Sequence, residues 1–182
     1  MRFMRIPSII LVLFVSIISC VSNLDFDQLD EVSNTPVFTT SLVFFTINKY
    51  FFVDTSGALT GLTITDVSDF KFFENPTFSE NLNIVDLTIK VKNEFDSNFT
   101  AQIQFLDAAN TLKYQLTPII VPANQLDFKY LERIPMSANP SLLKATKVKI
   151  TIDLPDGATS LTADNNEELE FKSAVTYYIK TN

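Results

Sequence analysis

The chain of 182 residues contains no histidine and no tryptophan, and it has one cysteine and three glycines. Without histidine, the commonest general base and metal ligand is missing, and Ser–His–Asp and Cys–His catalysis are excluded. One cysteine cannot form an internal disulfide or a cysteine-built zinc site. With so few glycines there is no glycine-rich phosphate-binding loop. These absences favour a protein that is not an enzyme and that carries no metal and no cofactor.

Basic residues are also scarce, because 14 lysines and arginines stand against 21 acidic residues and the net charge is −7. Arg2 and Arg5 lie in a segment that we expect to be removed, which leaves 12 basic residues and a net charge of −9. Such a field repels polyanions, so nucleic acid is not expected as a partner. Hydrophobic residues make up 46% of the chain and include 17 phenylalanines, which is enough for the core of one domain.

Residues 1–19 have the pattern of an export signal. Arg2 and Arg5 precede the apolar run of residues 9–18, which a single serine interrupts. This run is shorter than the roughly 20 apolar residues that a membrane-spanning helix needs. We therefore expect a signal helix that is cleaved and takes no part in the folded domain.

The end of this segment, Ile17-Ile18-Ser19-Cys20, resembles the lipobox of bacterial lipoproteins. The resemblance implies that Ile17, Ile18 and Ser19 are recognised by a signal peptidase and that Cys20 is lipidated, because a cysteine thiol can take a diacylglycerol as a thioether. Two or three chains, palmitate among them, would anchor the protein to a membrane without spanning it. The alternatives are an ordinary signal peptide that contains a cysteine, and an uncleaved anchor.

The acidic residues Asp25, Asp27, Asp30 and Glu31 follow within residues 20–36. They resemble the acidic patch that accompanies export to the cell surface in lipoproteins of Bacteroidetes. The resemblance implies an outer-membrane protein displayed at the cell surface. The alternatives are a solvated acidic tether without a sorting role, and a domain that faces the periplasm.

From residue 37 onward, apolar and polar residues alternate with period two, which is typical of half-buried strands. Residues 85–91, 99–105 and 112–116 predict an antiparallel meander, and residues 169–179 show the same alternation. Residues 37–47 are apolar on both faces, which predicts a strand that is central or covered on both sides.

About eight to ten such strands predict an all-β fold, an antiparallel β-sandwich formed by residues 37–182. The passage "TIKVKNEF…FTAQIQFLDAANTL" resembles immunoglobulin-like modules, which implies an immunoglobulin-like sandwich. The signal, acidic tether and strands together resemble small uncharacterised lipoproteins of flavobacteria. That resemblance implies a fold and a location, and no activity.

Two aromatic features are candidate contact sites. Tyr178 shares its strand face with charged residues, which suits a protein partner or a sugar ring; the alternative is a tyrosine that lies over its neighbours on an edge strand. The stretch "FKFFENPTF" holds Phe70, Phe72, Phe73 and Phe78, and some of these rings are expected to form an exposed patch.

The sequence leaves three hypotheses for function. The first is a lipid-anchored, non-enzymatic accessory or structural protein of an envelope complex, which predicts a flat apolar contact face. The second is a surface module that binds a glycan or another ligand for nutrient uptake, which predicts a concave site with converging polar groups. The third is a small carboxylate-based hydrolase, which predicts two acids in one pocket.

Overall fold

The structure is a computed structural model, and it describes residues 36–54, 56, 58, 60–154 and 166–180. Nine strands account for most of these residues. They are β1 (Val37–Asn48), β2 (Thr63–Asp69), β3 (Leu82–Asn93), β4 (Phe99–Leu106), β5 (Leu112–Gln115), β6 (Ile119–Val121), β7 (Phe128–Pro135), β8 (Lys147–Asp153) and β9 (Glu168–Ile179).

The strands form two antiparallel sheets that pack as a β-sandwich, which confirms the predicted fold class. The first sheet has the order β1-β9-β3-β7, and the second has the order β2-β8-β4-β5 with β6 also paired to β4. Apolar side chains from both sheets make one continuous core, in which Leu87, Ile89, Ile103 and Phe171 are at most 1% exposed. The alternation read from the sequence holds in β9, where Leu169, Phe171, Ser173, Val175 and Tyr177 are all buried.

Two strand pairs, one in each sheet, have the arrangement found in immunoglobulin sandwiches. β3 pairs with β7 in the first sheet and β4 pairs with β8 in the second, and the chain crosses between sheets after β3 and again after β7. In immunoglobulin domains the final strand joins the second of these pairs. Here β9 instead returns to the first sheet, where it lies between β1 and β3.

The predicted meander is wrong at its first turn. β4 and β5 form the expected hairpin, but β3 pairs with β7 and β9 and not with β4. The turn between β3 and β4 crosses from one sheet to the other, and its Phe95 is fully buried in the core. The buried amide of Asn93 supports the crossing by donating to the carbonyls of Ser97 and Pro122, at 2.9 and 2.7 Å.

The prediction of a central or doubly covered strand at residues 37–47 is also wrong. β1 lies at the edge of the first sheet and pairs with β9 among the described strands. Val37, Phe38 and Phe44 are 52%, 53% and 62% exposed. Apolar residues on both faces are compatible with burial, but they do not determine where a strand lies in a sheet.

The phenylalanines of "FKFFENPTF" close one end of the sandwich, contrary to the expected exposed patch. Phe70 and Phe73 are buried, and Phe72 and Phe78 pack partly buried against the core. The Phe72 ring stacks on buried Tyr177 with 3.7 Å between ring centroids. The rings lie inside because they pack against one another in edge-to-face and stacked pairs, which are favourable arrangements of aromatic side chains.

Short helical segments lie between several of the strands. Lys49–Phe51 and Phe72–Glu74 are 3-10 turns, and α1 (Pro76–Asn81) leads into β3. Another 3-10 turn, Pro140–Lys144, has proline at its start. Across the described residues, no helix has both the length and the apolar character to cross a membrane.

Candidate functional site

The predicted anchoring residues lie outside the described part of the chain. They are Cys20, the peptidase-recognition residues Ile17, Ile18 and Ser19, and the acidic residues Asp25, Asp27, Asp30 and Glu31. Lipidation of Cys20 and surface export therefore stay predictions.

Tyr178 lies on the outer face of the first sheet, on the central strand β9, and it is half-buried. The Arg133 guanidinium sits over its ring, 5.4 Å from the centroid, and the Tyr178 hydroxyl contributes, after Arg133, to lowering the pKa of Asp86. Arg133 in turn donates two hydrogen bonds to Asp86, at 2.8 and 2.7 Å. Tyr178 thus lies over its neighbours, and the arginine covers the face that a ligand would stack on.

Asp86 is 5% exposed although it points away from the core, because Arg133 and Tyr178 enclose it. The hydrogen bonds from Arg133 lower the pKa of Asp86, and burial opposes this shift. The carboxylate is therefore ionised, and its two oxygens accept hydrogen bonds from Arg133. This cluster stabilises the fold and does not offer the carboxylate to a ligand.

A shallow depression lies further along the same outer face and has a volume of about 370 Å³. It forms beside a β-bulge, because β1 advances three residues from Ser41 to Phe44 while β9 advances two. The depression is lined by Ser41, Val43, Phe44, Thr88, Lys90, Lys172, Ser173 and Ala174. It combines an exposed aromatic ring, two ammonium groups and three hydroxyls, of which the Ser173 hydroxyl bonds the backbone of Val43.

A row of lysines crosses the sheet at this depression. Lys172 on β9 is directly opposite Lys90 on β3, and Lys90 is directly opposite Lys129 on β7. Phe44 on β1 continues the row, and the Lys172 ammonium lies 5.5 Å from the centroid of its ring. Like charges directly opposite each other on adjacent strands destabilise a sheet, so this arrangement has a cost in stability.

A second concave feature, of about 250 Å³, lies on one side of the sandwich between the edge strands β1 and β2. Its apolar floor includes Ile47, Ile150 and Ile152, and Phe51 and Asp66 stand at its rim. Phe45 also lines it and stacks on Phe171 with 4.9 Å between ring centroids. The sandwich is therefore open along the side that carries the uncharged edge strand.

The opposite side of the sandwich is closed by a polar bridge between the sheets. Tyr114 on β5 and Tyr130 on β7 both donate to the carboxylate of Glu132, at 3.1 and 2.6 Å. Burial raises the pKa of Tyr114 to about 12, and the hydrogen bond to Glu132 raises that of Tyr130 to about 12. Both phenols stay protonated and hold the two edge strands together.

Sequence reasoning missed Phe44 and the lysine row. The period-two pattern does place Lys90 and Lys172 on the polar faces of their strands. It contains no information that these strands are neighbours, so no local signal could have brought the lysines together. Where the structure describes the chain, no three His, Cys, Asp or Glu residues are grouped closely enough to hold a metal ion.

No protein-family model matches the chain, and no curated protein matches it. Solved structures with similar backbones include infectious bursal disease virus, Gt strain, at a TM-score of 0.43 and 14% identity over 81% of this chain and 32% of the virus chain. Tailspike protein 4 of bacteriophage CBA120 has a TM-score of 0.38 and 15% identity, and the match covers 84% of this chain and 20% of the tailspike chain. The Bacillus endospore appendage has a TM-score of 0.33 and 11% identity, and the match covers 81% of this chain and 92% of the appendage chain.

This chain spans about a third of the virus chain and a fifth of the tailspike chain. All three TM-scores lie below 0.5, so these similarities indicate no function. The assignment as a β-sandwich stands on the strand pairing of this chain itself.

Proposed function

We propose that this chain is a non-enzymatic binding protein of the cell envelope, anchored by a lipid on Cys20, and that it binds a partner protein along the edge of β1 that no other described strand pairs with. The observation that supports strand addition is the composition of that edge. β1 runs for 12 residues without a charged residue or a proline. An exposed, uncharged edge strand is a template for pairing with another extended chain.

The other sheet edges in the described residues carry features that oppose such pairing. The edge strand β7 contains Lys129, Glu132, Arg133 and Pro135. In β2 the alternation directs Asp66 inward, opposite Ile150. The edge formed by β5 and β6 is short, with strands of four and three residues. Charges, proline and short length are three of the devices by which proteins protect sheet edges, and β1 has none of these three; the device that it does have is the β-bulge between Ser41 and Phe44.

The open groove between β1 and β2 supports the same proposal. A strand added to β1 would continue the first sheet past its present edge, and its inward side chains would reach the apolar floor of the groove. Backbone hydrogen bonds to β1 would supply affinity, and the groove would select alternate side chains of the partner.

A photo-crosslinking residue at Thr40 tests this proposal in cells that express the full chain. Thr40 is exposed on β1, and the same crosslinker at Thr117, an exposed loop position between β5 and β6, is the matched control. We expect one discrete protein adduct at position 40 and none at position 117. When the crosslinker is placed at Val37 instead, Thr40→Lys should abolish the adduct, because a lysine on an edge strand opposes pairing with another strand. Equal labelling at positions 40 and 117 would refute strand addition.

The surface location is tested separately by adding protease to intact cells. Display at the cell surface predicts that the domain is removed while a periplasmic marker survives. Full protection of the domain until the outer membrane is permeabilised would place it in the periplasm instead.

A further inference from the structure

We propose that the depression beside the β-bulge binds an acidic oligosaccharide, whose carboxylates are held by the lysine row and whose sugar ring packs on Phe44. This site is on the outer face of the first sheet and does not depend on the strand addition proposed for β1. The inference rests on the register of the strands, the exposure of Phe44, and the shape of the surface between them.

The register places three cations at neighbouring positions. Lys172, Lys90 and Lys129 follow one another across β9, β3 and β7, and adjacent strands are separated by about 4.8 Å. The three side chains are all exposed. Like charges in one row lower the stability of the sheet. Residues that lower stability in this way are expected at functional sites.

Lys90, at the centre of the row, forms no ion pair with any residue in the described part of the chain. Each of its neighbours pairs with an acidic residue two positions before it on the chain: Lys172 pairs with Glu170, and Lys129 pairs with Asp127 at 2.8 Å. Exposed pairs of this kind contribute little energy, so Lys172 and Lys129 can turn toward an anion at small cost. Among the described residues, the row therefore offers Lys90 as a cation without an ion pair, and Lys172 and Lys129 as cations that can turn toward a ligand.

The rest of the depression favours a sugar over a simple anion. Phe44 is 62% exposed, and a sugar ring can pack on it once the Lys172 ammonium, which lies 5.5 Å from the centroid of its ring, turns toward the anion. The hydroxyls of Ser41 and Thr88 line the same surface. Ala174 forms part of the floor between them, and its small side chain leaves room for a ring. An aromatic face beside a few directed polar groups is the usual composition of a site for a small organic ligand.

The net charge of −7 does not prevent this binding. At physiological ionic strength, charges further away than about 8 Å are largely screened, so a short ligand responds to the nearest lysines. A long polyanion would also meet the acidic remainder of the surface. This difference favours an oligosaccharide of a few uronic acid units.

Calorimetric titration of the full chain with trigalacturonate tests the proposal, with the fully methyl-esterified trisaccharide as the neutral control. We expect binding of the acid, loss of binding in high salt, and no binding of the ester. Lys90→Gln should weaken the affinity by about fivefold. Lys71→Gln, which removes an exposed lysine elsewhere, should leave the affinity unchanged. Phe44→Ser should weaken binding without changing its salt dependence.

Two further measurements separate a loss of binding from a loss of stability, and a sugar ligand from an acidic lipid. The melting temperature of Lys90→Gln should be no lower than that of the wild type, because the substitution relieves repulsion. Phosphatidylglycerol vesicles test the other acidic partner that a lysine row could meet. Binding of vesicles but not of trigalacturonate would overturn the assignment to a sugar. Equal affinity for acid and ester, equal effects of Lys90→Gln and Lys71→Gln, or no binding of the acid would overturn it as well.

Discussion

The hydroxyl of Ser173 on β9 occupies the gap that the β-bulge opens in β1. It accepts a hydrogen bond from the backbone N–H of Val43 at 3.1 Å and donates one to the carbonyl of Val43 at 3.2 Å. Both backbone groups would otherwise lack a partner where the register shifts between Ser41 and Phe44. A single polar residue on the buried face of β9 thus fixes the bulge beside which the depression forms.

Ser173→Ala should lower the free energy of unfolding by about 1–2 kcal/mol, because it leaves two backbone groups of Val43 without partners. Urea denaturation measures the change. Thr39→Ala is the control, since it removes an exposed hydroxyl contact to Thr176 on the same pair of strands and should change stability by less than about 0.5 kcal/mol. Equal losses in the two variants would contradict the role given to Ser173.

Asp86→Asn should destabilise the domain near pH 7 by about 1–2 kcal/mol and should reduce its sensitivity to acid. Hydrogen bonds from Arg133 lower the folded pKa of Asp86. Its stabilisation is therefore complete above the unfolded pKa of about 3.9 and is lost as the pH falls through the lowered folded value. Urea midpoints between pH 7 and pH 2.5 test this.

The control for that substitution is Asp127→Asn, because the pair of Asp127 and Lys129 is exposed and should contribute little. An acid profile of Asp86→Asn that runs parallel to the wild type would contradict the proposed coupling between Asp86 and Arg133.

Glu132→Gln should reduce the loss of stability in alkali. The pKa values of Tyr114 and Tyr130 are both raised to about 12, so the stability that they contribute is complete below about pH 10 and is lost as the pH rises toward 12. Because the hydrogen bond to Glu132 is the main cause for Tyr130 and burial is the main cause for Tyr114, the substitution should lower the Tyr130 pKa more.

Tyrosine ring carbon shifts and urea midpoints between pH 8 and pH 11.5 measure these effects. Glu80→Gln, at an exposed position of α1, is the matched control and should leave both profiles unchanged. A larger pKa change at Tyr114 than at Tyr130 would contradict the assigned causes.

Cys20→Ser should abolish acylation and release the protein from membranes, because the thiol sulfur is the atom that would form the thioether. Metabolic labelling with a palmitate analogue and fractionation of the cells measure both effects. Ser22→Ala, two residues later, should keep the label and the membrane location. Persistent labelling and membrane retention in Cys20→Ser would remove the basis for the lipid anchor.

The sequence predicted local structure well where the period-two pattern was complete. The buried face of β9 agrees with the alternation of its residues, and the hairpin of β4 and β5 follows from two such runs joined by a polar turn. The prediction failed at β1 and after β3 for different reasons. β1 has apolar residues on both faces although it is an edge strand, and the polar turn after β3 contains the buried Phe95.

The sequence alone was sufficient to exclude histidine-dependent chemistry, to predict an all-β domain, and to identify Cys20 as the candidate for lipidation, because these depend on composition and on neighbouring residues. Only the tertiary structure decided that β1 is an edge strand among the described residues, that Tyr178 is covered by Arg133, and that three lysines share one row with Phe44. Alternation determines which way a side chain points within its own strand. Which side chains then meet depends on strand order and register, and these are set by pairing between segments that are distant in sequence.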